Sequence, residues 1–444
     1  MLVLAALACA GSLAATGTAR AQIVARGAAD GLLALGAKGT PLVAYVRGTR
    51  VVVATRAGSG KWRSANAATV TAGATVKAFK IGAAGPVALV QSSDDRTLVL
   101  VRKRGAGWQN VRIATVPATL ALGWPGLALD AKGLPIVAYS RWNSLNLNTQ
   151  LQLVRIDARG RMSTQSITRG GFPRSMVPPP AAPVLVGGRA HVVQSYGFDT
   201  VTGTFEWYPD GKTWTGLGLD VSRGEFPIGP VLAGLLQGRL YAAWSMSMAA
   251  FDAVPVTLAE RVTNASSEFV LDRALTTALA LPSSGAEVAA NQWVTADELG
   301  VGGDGVVWAG TIVSGDEPQP VQLDGWLGGL AVSPKGGRDI LLERAGNLEW
   351  FRSPSKLETR VVIRAIPSTD EVTVEGQLEG ASSGSVTIYR ERPDATREVA
   401  GTVRLSGGSF SFTDRTSTRP LLYRAVYTAP GTWIPYAALS RPIL

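Results

Sequence analysis

The sequence predicts an all-β protein whose first three-quarters form a β-propeller. A Gly-x-Pro step followed by an apolar run recurs at residues 39–45 (GTPLVAY) and 133–139 (GLPIVAY). Weaker copies lie at residues 85–89 and 238–244. The prolines Pro41, Pro86 and Pro135 are 45 and 49 residues apart. A period in the forties that contains only strand-like segments is typical of propeller blades.

Composition supports a folded chain with many turns. Of the 444 residues, 46% are hydrophobic and only 17% are charged, so a large core is expected. The 51 glycines suit the tight turns of a β-protein, where positive φ angles are common.

Seven repeat units can be drawn along the chain. Their first strands are predicted near residues 32–35, 77–81, 127–130, 183–186, 231–235, 287–290 and 329–333. The fourth strand often begins with tryptophan, at Trp62, Trp108 and Trp214. Six or eight blades also fit, because the unit at 287–324 is the least regular. The last unit is one strand short, and residues 22–26 are a spare strand that would complete it and remove an open sheet edge.

The N-terminus predicts secretion. An apolar run at residues 2–10 precedes small residues and an Ala-x-Ala site at 19–21, so residues 1–21 are interpreted as a signal peptide. An uncleaved membrane anchor is the alternative. The sole cysteine, Cys9, would leave with the signal, which excludes disulfides and thiolate metal sites in the secreted chain. No later apolar stretch reaches 18 residues, so no membrane span is expected in the mature chain.

A second domain is predicted after the propeller, which is assigned to residues 22–354. Residues 351–355 (FRSPS) are interpreted as a linker, and residues 357–444 contain about seven short strands, which favours a β-sandwich. Its alternating segments lie at 372–376, 384–389, 408–412 and 423–427. They resemble bacterial immunoglobulin-like modules appended to secreted proteins.

One turn resembles the Asp-box of sialidase-like propellers. Residues 209–214 (PDGKTW) follow the Ser-x-Asp-x-Gly-x-Thr-Trp pattern but lack the serine and are one residue short. The resemblance implies that Asp210 holds the turn and that Trp214, with Trp62 and Trp108 in shorter copies, packs between blades. The early Phe/Tyr-Arg-Ile-Pro motif and the Tyr–Glu nucleophile pair of active members are not found. No catalytic residue is therefore predicted.

Few residues are available for other kinds of catalysis or for metal binding. His191 is the only histidine and occupies the position that Ile136 holds in the third unit, so it is predicted to be a packed or hydrogen-bonded core residue. No metal site and no cofactor are predicted. Calcium could be held by Asp297, Glu298 and Asp304, although a solvated loop is the favoured interpretation. A glycosidase carboxylate pair drawn from two blades stays open.

The positive net charge of the chain indicates which binding partners to expect. The formal net charge is +10, but the arginines are scattered singly along strands. Nucleic-acid binding needs clustered basic residues with interleaved aromatics, so it is not predicted. A basic surface suits an anionic glycan or an envelope protein, and an ordinary solvated surface fits equally. The oligomeric state is not predicted.

Loop lengths predict where a ligand would bind. The turns joining strands one to two and three to four are short, whereas the connections on the opposite face lengthen in the middle units. The candidate ligand-binding residues lie in these longer loops and connections, and they are Arg141, Trp142, Arg174, Tyr196, Phe198, Phe226 and Phe251. The alternative is that Trp142, Phe172 and Phe226 only pin their own loops.

These observations favour a secreted, non-catalytic binding protein for an extracellular glycan or envelope protein. An extracellular glycoside hydrolase or lyase is the first alternative, and a structural component of a surface appendage or matrix is the second. Facing acidic pairs at the channel mouth would favour the enzyme. A bare aromatic and arginine face would favour binding, and an apolar patch on the last domain would favour assembly.

Overall fold

The computed structural model is all-β. It describes residues 21–36, 39–168, 174–198, 201–223, 225–236, 239–248, 255–261, 268–274, 278–279, 292–299, 304–311, 319–332, 338–353, 359–391, 397–415, 422–429 and 435–440. Within these ranges there is no α-helix, and therefore no helix long and apolar enough to cross a membrane.

The propeller consists of consecutive antiparallel sheets whose strands follow chain order. Sheet 1 contains β2 (Ala29–Leu35), β3 (Pro41–Arg47), β4 (Arg50–Arg56) and β5 (Trp62–Thr69). Sheet 2 contains β6 (Thr75–Gly82), β7 (Gly85–Gln91), β8 (Thr97–Arg104) and β9 (Gly107–Thr115). Sheet 3 contains β10 (Leu120–Leu122), β11 (Gly126–Leu129), β12 (Pro135–Asn143), β13 (Thr149–Ile156) and β14 (Met162–Ser166).

The next sheets repeat this pattern. Sheet 4 contains β15 (Ala181–Val186), β16 (Arg189–Phe198), β17 (Val201–Asp210) and β18 (Thr213–Arg223). Sheet 5 contains β19 (Glu225–Leu236), β20 (Arg239–Met248), β21 (Pro255–Arg261) and β22 (Glu268–Ala274). The following strands are β23 (Ala278–Leu279), β24 (Gln292–Leu299), β25 (Asp304–Thr311) and β26 (Gln319–Leu323). The closing sheet contains β27 (Trp326–Val332), β28 (Arg338–Arg344), β29 (Asn347–Ser353) and β1 (Gln22–Arg26).

The sheets are arranged in a ring around an axis. The first strand of each sheet contacts the first strand of the next, from β2 to β6, β11, β15 and β19, and β27 contacts β2. The blade count of seven stays a prediction, because most of residues 275–318, including the strand expected at 287–290, lie outside the described residues. Asp297 and Glu298, expected in a loop, lie in β24, and Asp304 begins β25.

The predicted role of the N-terminal strand is confirmed. β1 pairs antiparallel with β29, and Gln22 lies opposite Trp350. Val24 and Ala25 are buried in a core cluster that also contains Val43 of sheet 1 and Leu348 of the closing sheet. The strand therefore joins the two ends of the ring through both backbone hydrogen bonds and apolar packing.

The three tryptophans at fourth strands pack against cores shared by neighbouring sheets. Trp62 meets Trp350 of the closing sheet edge to face, with ring centroids 5.9 Å apart. Trp108 packs on the core between sheets 1 and 2, and Trp214 packs on the core between sheets 3 and 4. Each is half-buried, in line with a packing role.

Aspartate side chains accept hydrogen bonds within turns at two positions that were not predicted from the sequence. Asp130 Oδ1 accepts hydrogen bonds from the backbone N–H groups of Lys132 and Leu134, both at 2.8 Å. Asp157 Oδ1 does the same for Arg159 and Arg161. Both turns follow an Asp-Ala-Lys/Arg-Gly pattern that places glycine where φ is positive. The side chain of Asp210 has one weaker contact, with Thr215 Oγ1 at 3.5 Å, so the expected Asp-box turn is held less firmly.

The C-terminal strands form two facing sheets. One contains β30 (Arg360–Pro367), β31 (Val372–Glu379) and β34 (Ser409–Asp414). The other contains β32 (Ser385–Glu391), β33 (Arg397–Arg404), β35 (Leu422–Thr428) and β36 (Pro435–Leu439) in the order β36-β35-β32-β33. β36 also pairs with β26, so this sheet continues into the propeller.

The predicted linker is wrong in its first three residues. Phe351, Arg352 and Ser353 belong to β29, and Phe351 is only 1% exposed. Phe351 packs with Ile340 and Leu342 into the same core as the C-terminal strands. A buried aromatic side chain fixed by a strand cannot act as a flexible connection, which explains the difference.

Removing the N-terminal strand is expected to open the ring. Deleting Gln22–Arg26 leaves the edge of β29 unpaired and exposes the surface that Val24 and Ala25 cover. The melting temperature should fall by roughly 5–10 °C, with aggregation, as followed by calorimetry and light scattering. Ile23→Ala is the control, because Ile23 is 42% exposed and should leave stability unchanged. A deletion variant as stable and soluble as the parent would contradict this role.

A buried ion pair is expected to support the C-terminal sheets. Asp414 accepts two hydrogen bonds of 2.7 Å from Arg390 and one of 2.6 Å from the Tyr423 hydroxyl. Burial alone would raise the pKa of Asp414, but these bonds outweigh it and hold the pKa below its ordinary value. Asp414→Asn should lower the free energy of unfolding by roughly 3 kcal/mol at pH 7.

The pH dependence of that loss has a defined sign. Because the pKa of Asp414 is lowered in the folded protein, its stabilising effect is complete above the unfolded value and disappears as pH falls through the folded value. The difference in melting temperature between wild type and Asp414→Asn should therefore shrink in acid. A difference that stays constant down to the acid limit would argue against the ion pair.

Candidate binding face

The long-loop face is the side of the propeller that carries the connections from second to third strands and between sheets. On it, Ser175 joins three segments of sheets 3 and 4. Trp142 Nε1 donates to the Ser175 carbonyl oxygen at 2.7 Å, and the Ser175 N–H donates to the Leu147 carbonyl oxygen at 2.9 Å. Ser175 Oγ accepts from the Gly197 N–H at 3.3 Å. Ser175 itself is fully buried, so these segments are fixed to one another.

The structure brings four of the predicted site residues to this junction. Arg174 is exposed beside Ser175, and its backbone forms a bridge with Asn148. Its guanidinium donates to the Asn146 carbonyl oxygen at 3.4 Å. Trp142 reaches the junction through its indole N–H, and Tyr196 immediately precedes Gly197. Arg141 lies next to Trp142 and is half-buried.

Two of these residues were expected in a loop, but they lie in a strand. Arg141 and Trp142 end β12, where they pair with Leu122 and Ala121 of β10 on one side and with β13 on the other. The short strand β10 had no signal of its own, and it extends the ladder beyond the apolar part of β12. Arg141 Nε is buried and has no hydrogen-bond partner among the described residues.

Tyr196 is placed by stacking. Its ring lies on Phe205, with centroids 5.4 Å apart and an interplanar angle of 28°. A Cβ at Gly203, the residue opposite Tyr196, would lie 2.7 Å from Phe205 and 3.1 Å from Tyr196, so glycine makes room for the pair. Burial raises the pKa of Tyr196 above its ordinary value. The phenol, which is already protonated at neutral pH at the ordinary pKa of tyrosine, is kept further in that form.

Of the remaining predicted residues, only some lie in the described part of the chain. Phe198 ends β16 opposite Val201, and Phe226 lies in β19 opposite Ser247. Phe251 and Phe172 lie outside the described residues. The hydrogen bond from Trp142 to Ser175 favours the alternative that this tryptophan fixes its neighbouring loop.

A second group of side chains lies on the same face, closer to the axis. This mouth cluster comprises Asp30, Lys77, Asp95, Trp124 and Glu343. Asp30 and Lys77 stand near the starts of β2 and β6, and Trp124 directly precedes β11. Asp95 follows β7, and Glu343 lies near the end of β28, so the connectivity places all five at the long-loop face.

Short contacts join four members of the mouth cluster in two pairs, and Gln91 holds the fifth. Lys77 Nζ lies 3.8 Å from the centroid of the Trp124 ring. The Asp30 N–H donates to Glu343 Oε2 at 3.2 Å. Asp95 Oδ1 accepts from Gln91 Nε2 at 2.9 Å, and the same amide donates to the Leu122 carbonyl oxygen at 3.1 Å. Gln91 is 1% exposed and so anchors Asp95 from below.

Burial perturbs the titrating groups of the mouth cluster. It lowers the pKa of Lys77, against the opposing effect of Asp95 and Asp30. It raises the pKa of Asp95, which Lys77 partly counters. It also raises the pKa of Glu343, and the charge of Asp30 adds to that rise. Asp95 and Asp30 therefore act on the Lys77 ammonium group, and Asp30 also acts on Glu343, in a partly desolvated setting where perturbed groups often mark function.

The mouth cluster was missed because each repeat supplies only one or two of its members. The one available signal is spacing, since Lys77 follows Asp30 by 47 residues and Trp124 follows Lys77 by 47 residues. That step matches the repeat period and marks one position in three successive units. The residue types at this position differ, so a search for a motif overlooks them.

His191 is placed as predicted, within the core. Its Nδ1 lies 2.5 Å from Glu206 Oε1, and both side chains are buried. The imidazole ring also stacks on Tyr208, with centroids 5.9 Å apart. His191 stands near the start of β16, at the opposite end of the strand from Tyr196. No group of three or more His, Cys, Asp and Glu side chains suited to a metal ion occurs in the described part of the chain.

Comparisons with known proteins give similarity only at the level of structure. No family model and no curated relative matches the chain. The alpha-L-arabinanase of Penicillium chrysogenum, solved with arabinobiose, matches 62% of this chain and 91% of its own at 15% identity, with a TM-score of 0.40.

Two further structures match at similar levels. The β-propeller domain of the Trilobed protease from Pyrococcus furiosus shares 10% identity over 73% of this chain and 94% of its own, with a TM-score of 0.43. The WD40 domain of SCAP from fission yeast shares 12% identity over 76% of this chain and 99% of its own, with a TM-score of 0.39. The propeller architecture of this chain rests on its own strand order and ring closure.

Replacing Glu343 is expected to stabilise the protein. At pH 7 its carboxylate is destabilised by burial and by Asp30, so Glu343→Gln should raise the melting temperature. The gain should vanish as pH falls through the raised pKa, because wild-type Glu343 then becomes neutral as well. Glu375→Gln is the control, since Glu375 lies in an exposed ion pair with Arg364 and should give no rise. Melting curves of both variants at pH 7 and pH 4 test this, and a fall for Glu343→Gln at pH 7 would contradict it.

Proposed function

We propose that the protein is a secreted, non-catalytic binding protein that captures an extracellular glycan on the long-loop face of its propeller. The observation that carries this proposal is the junction at Ser175, where three segments of two sheets are hydrogen-bonded together. Segments fixed before binding lose little conformational entropy when a ligand arrives. Binding residues are also disproportionately found on connections held by a rigid scaffold.

The side chains around the junction have the chemistry that a glycan needs. Arg174 is an exposed cation, Arg141 has a buried Nε–H without a partner among the described residues, and Tyr196 offers a protonated phenol beside an aromatic surface. A few placed polar groups beside aromatic rings are typical of small-molecule sites. The same surface could instead hold an envelope protein, which the capture experiment below distinguishes.

The finer architecture belongs to this proposal. We propose seven blades of sialidase-like type, and an immunoglobulin-like module at residues 357–444. The strand orders β30-β31-β34 and β36-β35-β32-β33 divide seven strands as such sandwiches do. Tyr423, early in β35, also hydrogen-bonds back to Asp414 at the end of β34, much as a tyrosine corner does.

A glycan-active enzyme is the second candidate, and the mouth cluster favours it. Asp30 and Glu343 come from two adjoining sheets and are in contact through the Asp30 N–H. A carboxyl group with a raised pKa beside another carboxylate is the arrangement from which glycosidases draw an acid and a base. If wild-type protein releases reducing sugar from a glycan and Glu343→Gln does not, the protein is an enzyme and the non-catalytic proposal fails.

The proposal is tested by glycan-array capture and a pull-down with the chain that begins at Gln22. Arg174→Ala should weaken capture of the retained glycan by about ten- to a hundredfold, as expected for the loss of a charge-assisted hydrogen bond. Arg159→Ala is the matched control, because Arg159 is exposed at a turn on the opposite face. Trp142→Phe keeps a ring but removes the hydrogen bond to Ser175, and it should weaken capture through the loosened segment. Capture of a protein but no glycan, or unchanged capture by Arg174→Ala, would overturn the proposal.

A further inference from the structure

We propose that the mouth cluster is a subsite for an uncharged sugar residue, with the ammonium group of Lys77 donating to a sugar oxygen and the carboxylate of Asp95 accepting from a sugar hydroxyl. This inference rests on the proposed glycan-binding function. It names the chemical class of sugar that the mouth cluster, near the propeller axis, would bind. It goes beyond the residues predicted from the sequence, none of which belongs to the mouth cluster.

The ammonium group of Lys77 is a positioned donor. It lies over the Trp124 ring at 3.8 Å and is half-buried. In the described part of the chain it makes no hydrogen bond and no ion pair. A lysine ammonium group has three N–H donors. The face of an aromatic ring stabilises the positive charge, but it does not accept strong hydrogen bonds from these donors as oxygen atoms would. The donors are therefore free to meet the oxygen atoms of a ligand.

Trp124 is held so that it can support Lys77. Its carbonyl oxygen accepts from the Ala181 N–H at 3.0 Å, and the preceding Gly123 N–H donates to the Ser140 carbonyl oxygen at 2.9 Å. A Cβ at Gly123 would lie 1.9 Å from the Pro179 carbonyl oxygen, so this backbone passes through a space that only glycine fits. The backbone at Trp124 is consequently fixed between sheets 3 and 4, and its half-buried indole ring, which contacts Lys77 of sheet 2, gives the mouth an apolar surface for sugar C–H groups.

Asp95 supplies the acceptor, and a buried amide fixes it. Gln91 donates to Asp95 Oδ1, while Gln91 Oε1 is buried and has no partner among the described residues. A buried amide oxygen without a partner is unusual in a folded protein and marks a place where a further donor fits. Asp95 is exposed at the surface of the mouth, so its second carboxylate oxygen can receive a hydroxyl group.

Local charge selects against an anionic ligand. Among the described residues of the mouth cluster, Asp30, Asp95 and Glu343 contribute three carboxyl groups against the one ammonium group of Lys77. Adding a uronate or sulfate would bring another negative charge to groups that burial already disfavours in their ionised form. At an effective dielectric constant of about 20, two like charges about 5 Å apart repel by roughly 3 kcal/mol. A neutral sugar avoids this repulsion and still uses both hydrogen-bonding groups.

The test compares two classes of probe on the folded protein. Neutral arabino-, xylo-, gluco-, manno- and galacto-oligosaccharides are set against oligogalacturonate and sulfated oligosaccharides of equal length. Wild-type protein should capture a member of the neutral class, and Lys77→Met should weaken that capture by about ten- to a hundredfold. Lys132→Met is the matched control, because Lys132 is an exposed lysine on the opposite face. Asp95→Asn, which keeps the shape of the side chain, should also weaken capture.

A labelling measurement needs no variant. Acetylation of Lys77 in the wild-type protein, followed by mass spectrometry, should slow several-fold when the captured neutral sugar is present, while acetylation of Lys132 should not change. The inference is overturned if only anionic probes are captured. It is also overturned if neutral capture neither depends on Lys77 nor protects it, and then dependence on Arg174 would leave the proposed function standing. Capture of no glycan at all would overturn both.

Discussion

The pairing of β1 with β29 is the interaction on which the rest of the structure depends. A ring of antiparallel sheets that is built along one chain ends on an exposed strand edge, and an exposed edge recruits other chains. Here five N-terminal residues fill that edge, and the Gly27 N–H continues the contact with a 2.8 Å hydrogen bond to the Gly346 carbonyl oxygen. Side chains reinforce it, since Arg56 donates to Gln22 Oε1 at 3.1 Å and lies 4.7 Å from the Trp350 ring centroid. Closure also brings Glu343 of the last sheet beside Asp30 of the first, so the acidic side of the mouth exists only in the closed ring.

The closing sheet also determines how the C-terminal strands attach. One face of β28 and β29 packs on sheet 1 through Leu341, Leu348 and Trp350, and the other contributes Ile340, Leu342 and Phe351 to the C-terminal core. Asp324, 4% exposed, adds a 2.6 Å ion pair with Arg397 at the same boundary. The linker was predicted because polar and turn-forming residues follow Phe351 at 352–355, although Phe351 itself is buried in this core. The C-terminal sheets therefore share a hydrophobic core with the propeller and are not attached only through a flexible linker.

Much of the fold was predictable because it depends on period and alternation. Repeated Gly-x-Pro steps located the second strands, and the missing strand of the last unit identified Gln22–Arg26 as its partner. Strand ends were less predictable, because hydrogen-bonded ladders extend past the apolar residues. Arg141 and Trp142 were assigned to a loop for this reason, although β10 pairs with them. The Ser175 junction was beyond prediction, since its bonds are made by backbone groups that carry no sequence signal.

The mouth cluster shows a different limit, which is physical. Net charge is a sum over the whole surface, and at physiological ionic strength charges are screened beyond about 8 Å. A net charge of +10 therefore affects the long-range attraction of a charged polymer, but it says little about the charge of a site a few ångströms across. Among the described residues of the mouth cluster, three carboxyl groups outnumber one lysine, and positive φ angles at Asp30 and Asp95 set how the backbone presents two of them. The basic surface and the acidic mouth thus favour opposite ligand charges at different ranges. In the proposed subsite the short-range preference decides which ligand is held, because the groups there are partly desolvated and held by hydrogen bonds.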